Sequence, residues 1–257
     1  KADNRLAYFD INDFDEAALA PCTWDLARLL TSLQCGADAL AASADEALAV
    51  SRDCLAAYRE ALARGKPLWV EAETASGLVA DLLLALGLRK RRDFLDRRTE
   101  IKGKHRHLIV NGIKALPASA EDQAAVRAFM ADFAKEQPDP AFFEVLDVAR
   151  RIAGTGSLGV ARFVILVAGK GSPDGNYLLD LKSAQPTALG PALRHRGIAQ
   201  PDWGSESRRV VGVQRCMQAV DHAFLYPVEF TGQPFILKGL QPSEDRVAIA
   251  QWGGKLE

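Results

Sequence analysis

The chain lacks the features that mark a disulfide-rich, zinc-binding or membrane-spanning protein. Its four cysteines, at positions 22, 35, 54 and 216, form no CxxC pair and have no histidine at ligand spacing. This usage disfavours a disulfide framework or a zinc site, and it fits a reducing cytoplasm. No apolar run is long enough to span a membrane, and no signal peptide is visible. We therefore expect a cytoplasmic protein that has no membrane partner.

The chain also lacks an excess of either charge. Lys and Arg number 32 and Asp and Glu number 33, so the net charge of −1 indicates no polyanionic partner. Apolar residues make up 48% of the sequence, as in ordinary globular proteins, and 257 residues suffice for one large domain or two lobes. Because the chain begins with Lys rather than Met, we expect a fragment, from which an upstream signal or active-site loop can be missing.

The first 146 residues are predicted to form a mainly helical lobe. Apolar residues recur at helical spacing, and Ser43 and Glu46 have the spacing of a capping box. The predicted helices cover residues 23–34, 43–64, 73–86 and 119–136. Between the last two, the runs HLIV and IKAL flank Asn111-Gly112, which predicts a small β-hairpin over about 107–116.

From residue 147 onwards the pattern changes to strands. Apolar runs predict strands near 148–153, 160–168, 177–182, 224–230 and 234–239, interrupted by one helix over about 206–223. Helices first and a mainly antiparallel sheet afterwards indicate an α+β protein with two lobes. The predicted domains are a helical lobe over 1–146 and an antiparallel-sheet lobe over 147–257.

Carboxylates are concentrated in the segment FDINDFDEAALAPCTWD, residues 9–25. Asp10, Asp13 and Asp15 follow a short apolar run that is typical of a strand. Carboxylates at the end of a strand are a common way of holding Mg²⁺ against phosphates, because the ion prefers oxygen ligands. The three aspartates are therefore candidate metal ligands. The alternative interpretation is an acidic, solvated turn.

A glycine-rich loop lies between two of the predicted strands. Gly154, Gly156 and Gly159, with Ser157 among them, match the pattern GxGxxG, which is a weak motif by itself. The loop runs into an extended β-branched segment rather than into a helix, as in the phosphate-covering hairpin of protein kinases. The following strand carries Lys182, a candidate phosphate ligand. The alternative is a glycine-rich turn and a solvent-facing lysine, and a parallel sheet with a helix starting at Gly159 would instead indicate a dinucleotide fold.

Residues 89–107 form a basic run that contains nine Lys or Arg against three acidic residues. Such a run can bind nucleic acid, but only Phe94 supplies an aromatic ring there, and a solvated helix face and hairpin is the favoured interpretation. His105 and His107 fall on the same side of a predicted strand and could share a metal. No acidic third ligand lies near them, so exposed edge residues are favoured.

Several segments resemble one bacterial family over nearly the whole chain. They are FDINDFDEAALAPCTWDLARLLTSL, DVARRIAGTGSLGVARFVIL, LDLKSA and RRVVGVQRCMQAVDHAFL. The chain is identified as a member of the family known as domain of unknown function 2252. That family looks like a relative of aminoglycoside phosphotransferases and protein kinases.

The resemblance to kinases implies roles for particular residues. Asp10 matches the metal-binding Asp, and Asp25 matches the Asp that braces the catalytic loop. Lys182 matches the phosphate-binding Lys, with the glycine loop before it. The helix from Glu206 matches the kinase C-helix, and residues 235–241, which contain Lys238, match the strand that leads to the adenine hinge.

Two departures from the kinase pattern accompany this resemblance. The metal-Asp segment precedes the glycine loop, which implies a circularly permuted kinase-like fold. The catalytic-loop segment of the family falls before the start of this sequence. Gly212 also stands where relatives tend to have an acidic residue, which leaves Glu206 or Gln214 as expected partners of Lys182.

The resulting hypothesis is an ATP- and Mg²⁺-dependent phosphotransferase whose phosphoacceptor the sequence does not identify. Its catalytic residues would be Asp10 and Lys182. Cofactor binding would fall to Gly154, Gly156, Ser157, Gly159, Lys182 and Lys238, and metal binding to Asp10, Asp13 and Asp15. The alternatives are a pseudokinase that binds nucleotide or a partner without turnover and, less favoured, a nucleic-acid-binding protein that uses residues 89–107.

Overall fold

The computed structural model describes residues 6–37, 40–152 and 159–241. These residues form a mixed α+β structure. The helices are α1 (Thr23–Ala37), α2 (Ala44–Arg64), α3 (Gly77–Leu88), α4 (Arg91–Asp96), α5 (Ala120–Lys135), α6 (Gly190–His195) and α7 (Glu206–Met217), with a 3₁₀ turn at Pro140–Phe143. The strands are β1 (Thr99–Lys102), β2 (His105–Leu108), β3 (Ala115–Pro117), β4 (Val145–Arg151), β5 (Arg162–Val167), β6 (Tyr177–Ser183), β7 (Leu225–Phe230) and β8 (Gln233–Gly239).

The main sheet has six strands in the order β3-β4-β5-β6-β8-β7, and every neighbouring pair is antiparallel. Its last five strands in chain order lie where the sequence predicts them, so the antiparallel sheet is confirmed. The predicted helix between the third and fourth of these strands is α7, which ends at Met217, several residues earlier than expected. Strand β6 lies inside the sheet, between β5 and β8.

One face of the sheet packs against α5. Val126 and Met130 of that helix are fully buried against a cluster that includes Ile165, Leu179 and Leu181. Phenylalanines add edge-to-face contacts on this side, such as Phe129 against Phe230 at 5.5 Å. Side chains alternate across a strand, so the odd-numbered residues of β6 face α5 and the even-numbered ones face away.

The opposite face of the sheet carries two smaller apolar clusters. In the first, Leu166 and Leu178 of the sheet pack with Leu95 of α4 and Leu108 of β2. The second contains Phe14, Ala184, Val210, Val211, Leu225 and Ile236, and so joins the sheet to α7 and to the N-terminal region. On the same face, the even-numbered positions of β6 include two charged residues, Asp180 and Lys182. This charged part of the face carries the candidate site.

The hairpin predicted across Asn111-Gly112 is not formed. Strand β2 pairs instead with β1, around a turn at Gly103. The side-chain oxygen of Asn111 accepts the backbone N–H groups of Ile113 and Lys114 at 3.0 and 2.9 Å, which closes a local turn. The chain that follows becomes β3 and pairs with the edge strand β4. A turn therefore forms at Asn111 as predicted, but the strands on its two sides pair with β1 and β4 and not with each other.

Helices α1 to α3 make few contacts with the sheet side of the structure. Helix α2 begins with the predicted capping box, in which Ser43 and Glu46 bond reciprocally, and it ends at Gly65 in the left-handed conformation. The division of the chain at residue 146 stays a prediction. Two elements before that point are associated with the sheet: β3 is one of its strands, and α5 packs against its face. Among the described residues, no helix has both the length and the apolar character needed to cross a membrane.

Candidate functional site

The acidic segment, residues 10–16, lies against the sheet because its central aromatic ring is buried. Phe14 packs in the apolar cluster with Val210 and Val211 of α7. Asp13 and Asp15 flank this anchor and stay partly or fully exposed. Asp13 has a backbone φ of 69°, a left-handed conformation that Asp tolerates better than most residues other than Gly.

The side chain of Arg209 fastens the acidic segment from the α7 side. Its guanidinium donates to the carbonyl oxygens of Asp15 (2.9 Å), Ala17 and Gln185 (3.0 Å), and to the carboxylate of Glu206 (2.6 Å). The group is buried, and these acceptors use its planar set of donors. One side chain thus joins α7, the acidic segment and the chain that follows β6.

Lys182 of β6 forms an ion pair with Asp15 of the acidic segment. The two residues are 167 positions apart in sequence, and both are candidate site residues from the sequence analysis. The partners expected for Lys182 from the kinase resemblance are engaged elsewhere. Glu206 binds Arg209, and the side chain of Gln214 donates to that of Gln218 at 3.0 Å. The expectation that Glu206 or Gln214 pairs with Lys182 is therefore corrected to Asp15.

A buried ionic cluster lies beside Lys182 on the same sheet face. Asp180 is 1% exposed and accepts hydrogen bonds from Arg162 at 2.8 and 2.6 Å and from Arg151 at 2.9 Å. Burial raises the pKa of the Asp180 carboxyl, but the hydrogen bonds from Arg162 and the charges of both arginines outweigh it and lower the pKa to about 2. The carboxylate is therefore ionised, and both of its oxygens accept hydrogen bonds from the two arginines.

Lys238 completes the positive side of the site. It is the cross-strand partner of Asp180, as Lys182 is of Arg162. Burial lowers the pKa of the Lys238 ammonium, and the charge of Asp180 opposes that shift. Within the described part of the chain, no hydrogen bond is made by this ammonium. The four basic side chains Arg151, Arg162, Lys182 and Lys238 are called the cationic strip below.

The cationic strip carries more charge than its acidic neighbours neutralise. Asp180 and Asp15 balance two of its four charges, and Asp13, whose charge also acts on Arg162, balances a third. A partly buried surplus of positive charge, with donors from four neighbouring strands, is suited to binding an anion. The arrangement can therefore neutralise a phosphate group.

Asp10 is placed differently from Asp13 and Asp15. Its two carboxylate oxygens accept the backbone N–H groups of Ile11 at 2.7 Å and of Ala219, just beyond α7, at 2.8 Å. Gln218 donates to the carbonyl oxygen of Ile11 at 2.7 Å in the same place. Asp10 thus ties the start of the acidic segment to the end of α7, whereas Asp13 and Asp15 act on the cationic strip.

The carboxylates can be tested against the needs of Mg²⁺. Among the described residues, no group of three or more His, Cys, Asp or Glu side chains is arranged to hold a metal. Mg²⁺ commonly uses only one or two carboxylates, together with water and phosphate oxygens. Asp13 and Asp15 supply hard oxygen ligands of that kind beside the cationic strip, so the residues present fit a magnesium–phosphate complex.

The glycine loop is described only at its end. Gly154, Gly156 and Ser157 lie outside the described residues. Gly159 has a positive φ of 84° and precedes β5, so the chain after the loop is a strand and not a helix. Strands β4 and β5 on either side of the loop are antiparallel. The dinucleotide-binding alternative, which needs a helix at this position, is therefore ruled out.

The basic run 89–107 is partly used in packing. The side chain of Arg106 is fully buried and binds Asp96 at 2.7 Å, Asp174 at 2.8 Å and the carbonyl oxygen of Pro173 at 2.6 Å. Arg91 lies over the ring of Tyr177, 5.5 Å from its centre. These contacts fix β1 and β2 onto the turn between β5 and β6, which gives part of the run a structural role.

Four residues of this site are not predicted as site residues from the sequence. Asp180 was detectable, because it precedes Lys182 by two positions in a strand and so shares its face. Arg151 and Arg162 terminate the strands on either side of the glycine loop, which is a weaker signal. For Arg209 the only local signal was Glu206 three residues earlier, since its three carbonyl acceptors come from distant parts of the chain.

The fold and the site together define an α+β protein whose antiparallel sheet carries a cationic strip capped by an acidic segment. Over residues 1–256 the chain matches the model of the family described as an uncharacterized protein conserved in bacteria, domain of unknown function 2252. The chain belongs to this family. No curated protein matches the chain, and no solved structure matches it either.

Proposed function

We propose that the protein is an ATP- and Mg²⁺-dependent phosphotransferase with a permuted kinase-like fold and an unidentified phosphoacceptor. The observation that carries this proposal is the contact between Lys182 and Asp15 within the cationic strip. It brings together an ammonium and a carboxylate for which the sequence predicts separate roles, one as a phosphate ligand and the other as a metal ligand. Phosphoryl transfer depends mainly on positioning and on neutralising charge, which such a pair can provide.

In this proposal different residues of the chain bind the phosphates and the Mg²⁺ ion. Lys182 and Lys238 would hold phosphate oxygens, and Arg162 would add to the positive field while it stays bonded to Asp180. Asp13 and Asp15 would hold Mg²⁺, which, when bound, neutralises charge on the phosphates. The sequence predicts Asp10 as a catalytic residue and metal ligand, but both of its carboxylate oxygens accept backbone N–H groups, so in this proposal it would instead keep the acidic segment in place. The glycine loop, with Gly154, Gly156, Ser157 and Gly159, would cover the phosphates.

One observation favours a second candidate, a pseudokinase that binds nucleotide without turnover. By the kinase resemblance, Gly212 stands at a position where an acidic residue is expected. A side chain there would begin 3.0 Å from the ring of Trp203, which is tighter than most real contacts. A carboxylate at that position would require the Trp203 ring to shift, and Lys182 has Asp15 as its partner instead.

Nucleotide binding is tested first by thermal unfolding. ATP with Mg²⁺ should raise the melting temperature, because a ligand that binds only the native state stabilises it by about 2.7 kcal/mol at a hundredfold excess over Kd. Lys182→Met should remove this shift. Lys170→Met, which changes an exposed lysine outside the cationic strip, should leave it intact.

Turnover is tested on the same proteins. ATP consumption that is lost in Lys182→Met supports the phosphotransferase. A thermal shift without consumption, with a panel of small-molecule, sugar and protein acceptors present, supports the pseudokinase. If ATP causes no shift at all, and reversing the charge of Arg89, Arg91 and Arg92 abolishes a salt-sensitive binding to nucleic acid, both candidates are wrong.

A further inference from the structure

The ion pair between Asp15 and Lys182 lies on the open side of the cationic strip. The side chain of Asp15 is 41% exposed and that of Lys182 is 11% exposed, whereas Asp180 is buried deeper. Among the described residues, Asp15 is the only hydrogen-bond partner of the Lys182 ammonium. An anion that approaches Lys182 from solvent therefore meets the carboxylate of Asp15 first.

The backbone around Asp15 is held independently of this ion pair. Phe14 is buried in the apolar cluster on one side. On the other side, the carboxylate of Glu16 accepts the N–H of Ala188 at 2.6 Å and the hydroxyl of Thr187 at 3.0 Å. Arg209 holds the carbonyl oxygen of Asp15 itself at 2.9 Å. The Asp15 side chain can thus leave Lys182 by rotating about its own bonds, while the segment stays in place.

Asp180 and Asp15 differ in how easily a ligand could displace them from their basic partners. Asp180 is bonded by two mostly buried arginines, and removing it from them would leave these charges without their hydrogen-bonded carboxylate. Asp15 contacts a single ammonium at the edge of the site, so it is the carboxylate that a ligand can replace at low cost. Whether a ligand binds Lys182 then depends on whether the displaced Asp15 carboxylate finds another positive partner.

A free phosphate and a metal-bound phosphate place Asp15 in opposite situations. Beside a free phosphate, the displaced carboxylate has lost its hydrogen-bonded ammonium, although its charge still acts on Arg162 and Lys238, and it lies close to a like charge, which disfavours binding. Beside a phosphate that carries a divalent cation, the carboxylate gains a metal ligand position in exchange for the ammonium. Asp15 therefore gains a new positive partner in place of Lys182 only when the phosphate carries the metal ion.

We propose that Asp15 is a selectivity residue that makes the cationic strip accept metal-complexed phosphate chains and reject free ones. This inference rests on the proposed function, because it concerns the same anion site. It assigns to Asp15 a role beyond that of a metal ligand, namely the exclusion of metal-free anions from Lys182. It predicts that loss of the Asp15 charge increases affinity for a free phosphate chain.

The test measures binding of inorganic tripolyphosphate by calorimetry, with EDTA and separately with MgCl₂. The wild-type protein should bind at least about tenfold more tightly with Mg²⁺ than with EDTA, a difference of about 1.4 kcal/mol. Asp15→Asn should bind the free anion about tenfold more tightly than the wild type does, and Mg²⁺ should improve its binding less than it improves that of the wild type, since only Asp13 remains as a metal ligand. Asp15→Glu keeps the charge and should keep the preference for the metal complex.

The control for net charge is Asp132→Asn, which removes an exposed carboxylate on α5, a helix that packs on the opposite face of the sheet. It should behave as the wild type in both buffers. Thermal unfolding of each variant without ligand verifies that it is folded before binding is measured.

Three outcomes would overturn the proposal. Asp15→Asn could bind the free anion no more tightly than the wild type, or it could lose binding in both buffers, as expected for a purely structural residue. If the wild type binds tripolyphosphate in neither buffer and also shows no shift with ATP and Mg²⁺, the anion site is refuted together with the proposed function. Binding without ATP consumption would refute turnover alone, because the comparison of Asp15 variants depends only on binding.

Discussion

The main sheet and helices α1 to α3 use apolar residues in opposite ways. In the sheet, Ile165, Leu179 and Leu181 are completely buried. In the three helices, the buried residues are only Ala37, Ala47, Ser51 and Leu83, while Leu84 of α3 is 59% exposed. Helix α3 is apolar on nearly all sides, a composition that is typical of helices enclosed by other elements.

This difference indicates which part of the chain determines global stability. Free energy of unfolding comes mainly from buried apolar surface, so the sheet with α5 and α7 should unfold as the most stable unit. Helices α1 and α2 contact each other and depend more on local features such as caps. The candidate site belongs to the stable unit, since the cationic strip lies on the sheet and Arg209 fastens the acidic segment to it.

The largest effect is expected from removing the buried carboxylate of the sheet. Asp180→Ala leaves Arg151 and Arg162 buried without their acidic partner, which should lower the free energy of unfolding by about 3–5 kcal/mol. Urea denaturation monitored by circular dichroism measures this change. The matched control is Asp132→Ala, whose exposed pair with Lys135 should contribute about 0.5 kcal/mol or less. Equal losses in the two variants would show that the Asp180 cluster is not buried as described.

A leucine pair compares the two regions directly. Leu179→Ala in β6 should lower the free energy of unfolding by about 3 kcal/mol, because it leaves a cavity in a closed core. Leu84→Ala in α3 should change it by about 0.5 kcal/mol or less, since the side chain is mostly in solvent already. Both values come from urea denaturation. A loss in Leu84→Ala that approaches the loss in Leu179→Ala would mean that α3 is enclosed in solution, and the contrast would fail.

The pH dependence of stability should also reflect the buried site. The pKa of Asp180 is about 2, below the ordinary value of 3.8, so the unfolded chain binds this proton more readily. Its contribution to stability is therefore complete above about pH 4 and is lost as the pH falls through about 2. The shift corresponds to about 2 kcal/mol.

Comparison with Asp180→Asn isolates this contribution. Between pH 4 and pH 2, the unfolding free energy of the wild type should fall by about 2 kcal/mol more than that of the variant. Urea denaturation at several pH values within this range provides the measurement. Parallel pH profiles for the two proteins would show that Asp180 does not hold its low pKa in the folded state.

The sequence was sufficient to predict features that depend on local patterns. The β-branched run of β5 and the alternation in β6 predict both strands, and the antiparallel pairing follows from their short connections. The capping box at Ser43 and Glu46 is a property of four adjacent residues, and it is confirmed. The wrong hairpin shows the limit of such signals: Asn111 does make a turn, but β3 pairs with the open edge of β4, which local sequence does not specify.

The candidate site was predictable in its residue types but not in its geometry. The sequence predicts both Lys182 and Asp15 as site residues, yet their contact spans most of the chain and depends on Phe14 being buried against α7. The kinase resemblance indicated a partner from the helix at Glu206, whereas that carboxylate binds Arg209. Packing between distant elements brings Lys182 to Asp15, whereas Glu206 is engaged locally, by an arginine three residues later in the same helix.

The smallest effect is expected from two matched helix caps. Ser43 caps α2 and Ser119 caps α5, each by accepting a backbone N–H three residues later. Replacing such a serine with alanine costs about 1 kcal/mol of helix stability. Ser119→Ala should lower the global free energy of unfolding by about that amount, because α5 covers the sheet and is expected to unfold with it.

Ser43→Ala should act locally instead. Hydrogen exchange followed by mass spectrometry should show faster exchange in the first turns of α2, with little change in the peptides of β5 and β6. The urea midpoint, which reports the sheet unit, should stay close to that of the wild type, since helices α1 and α2 contribute little buried surface to that unit. If Ser43→Ala instead lowers global stability as much as Ser119→Ala does, α2 unfolds together with the sheet, and the two regions form one cooperative unit.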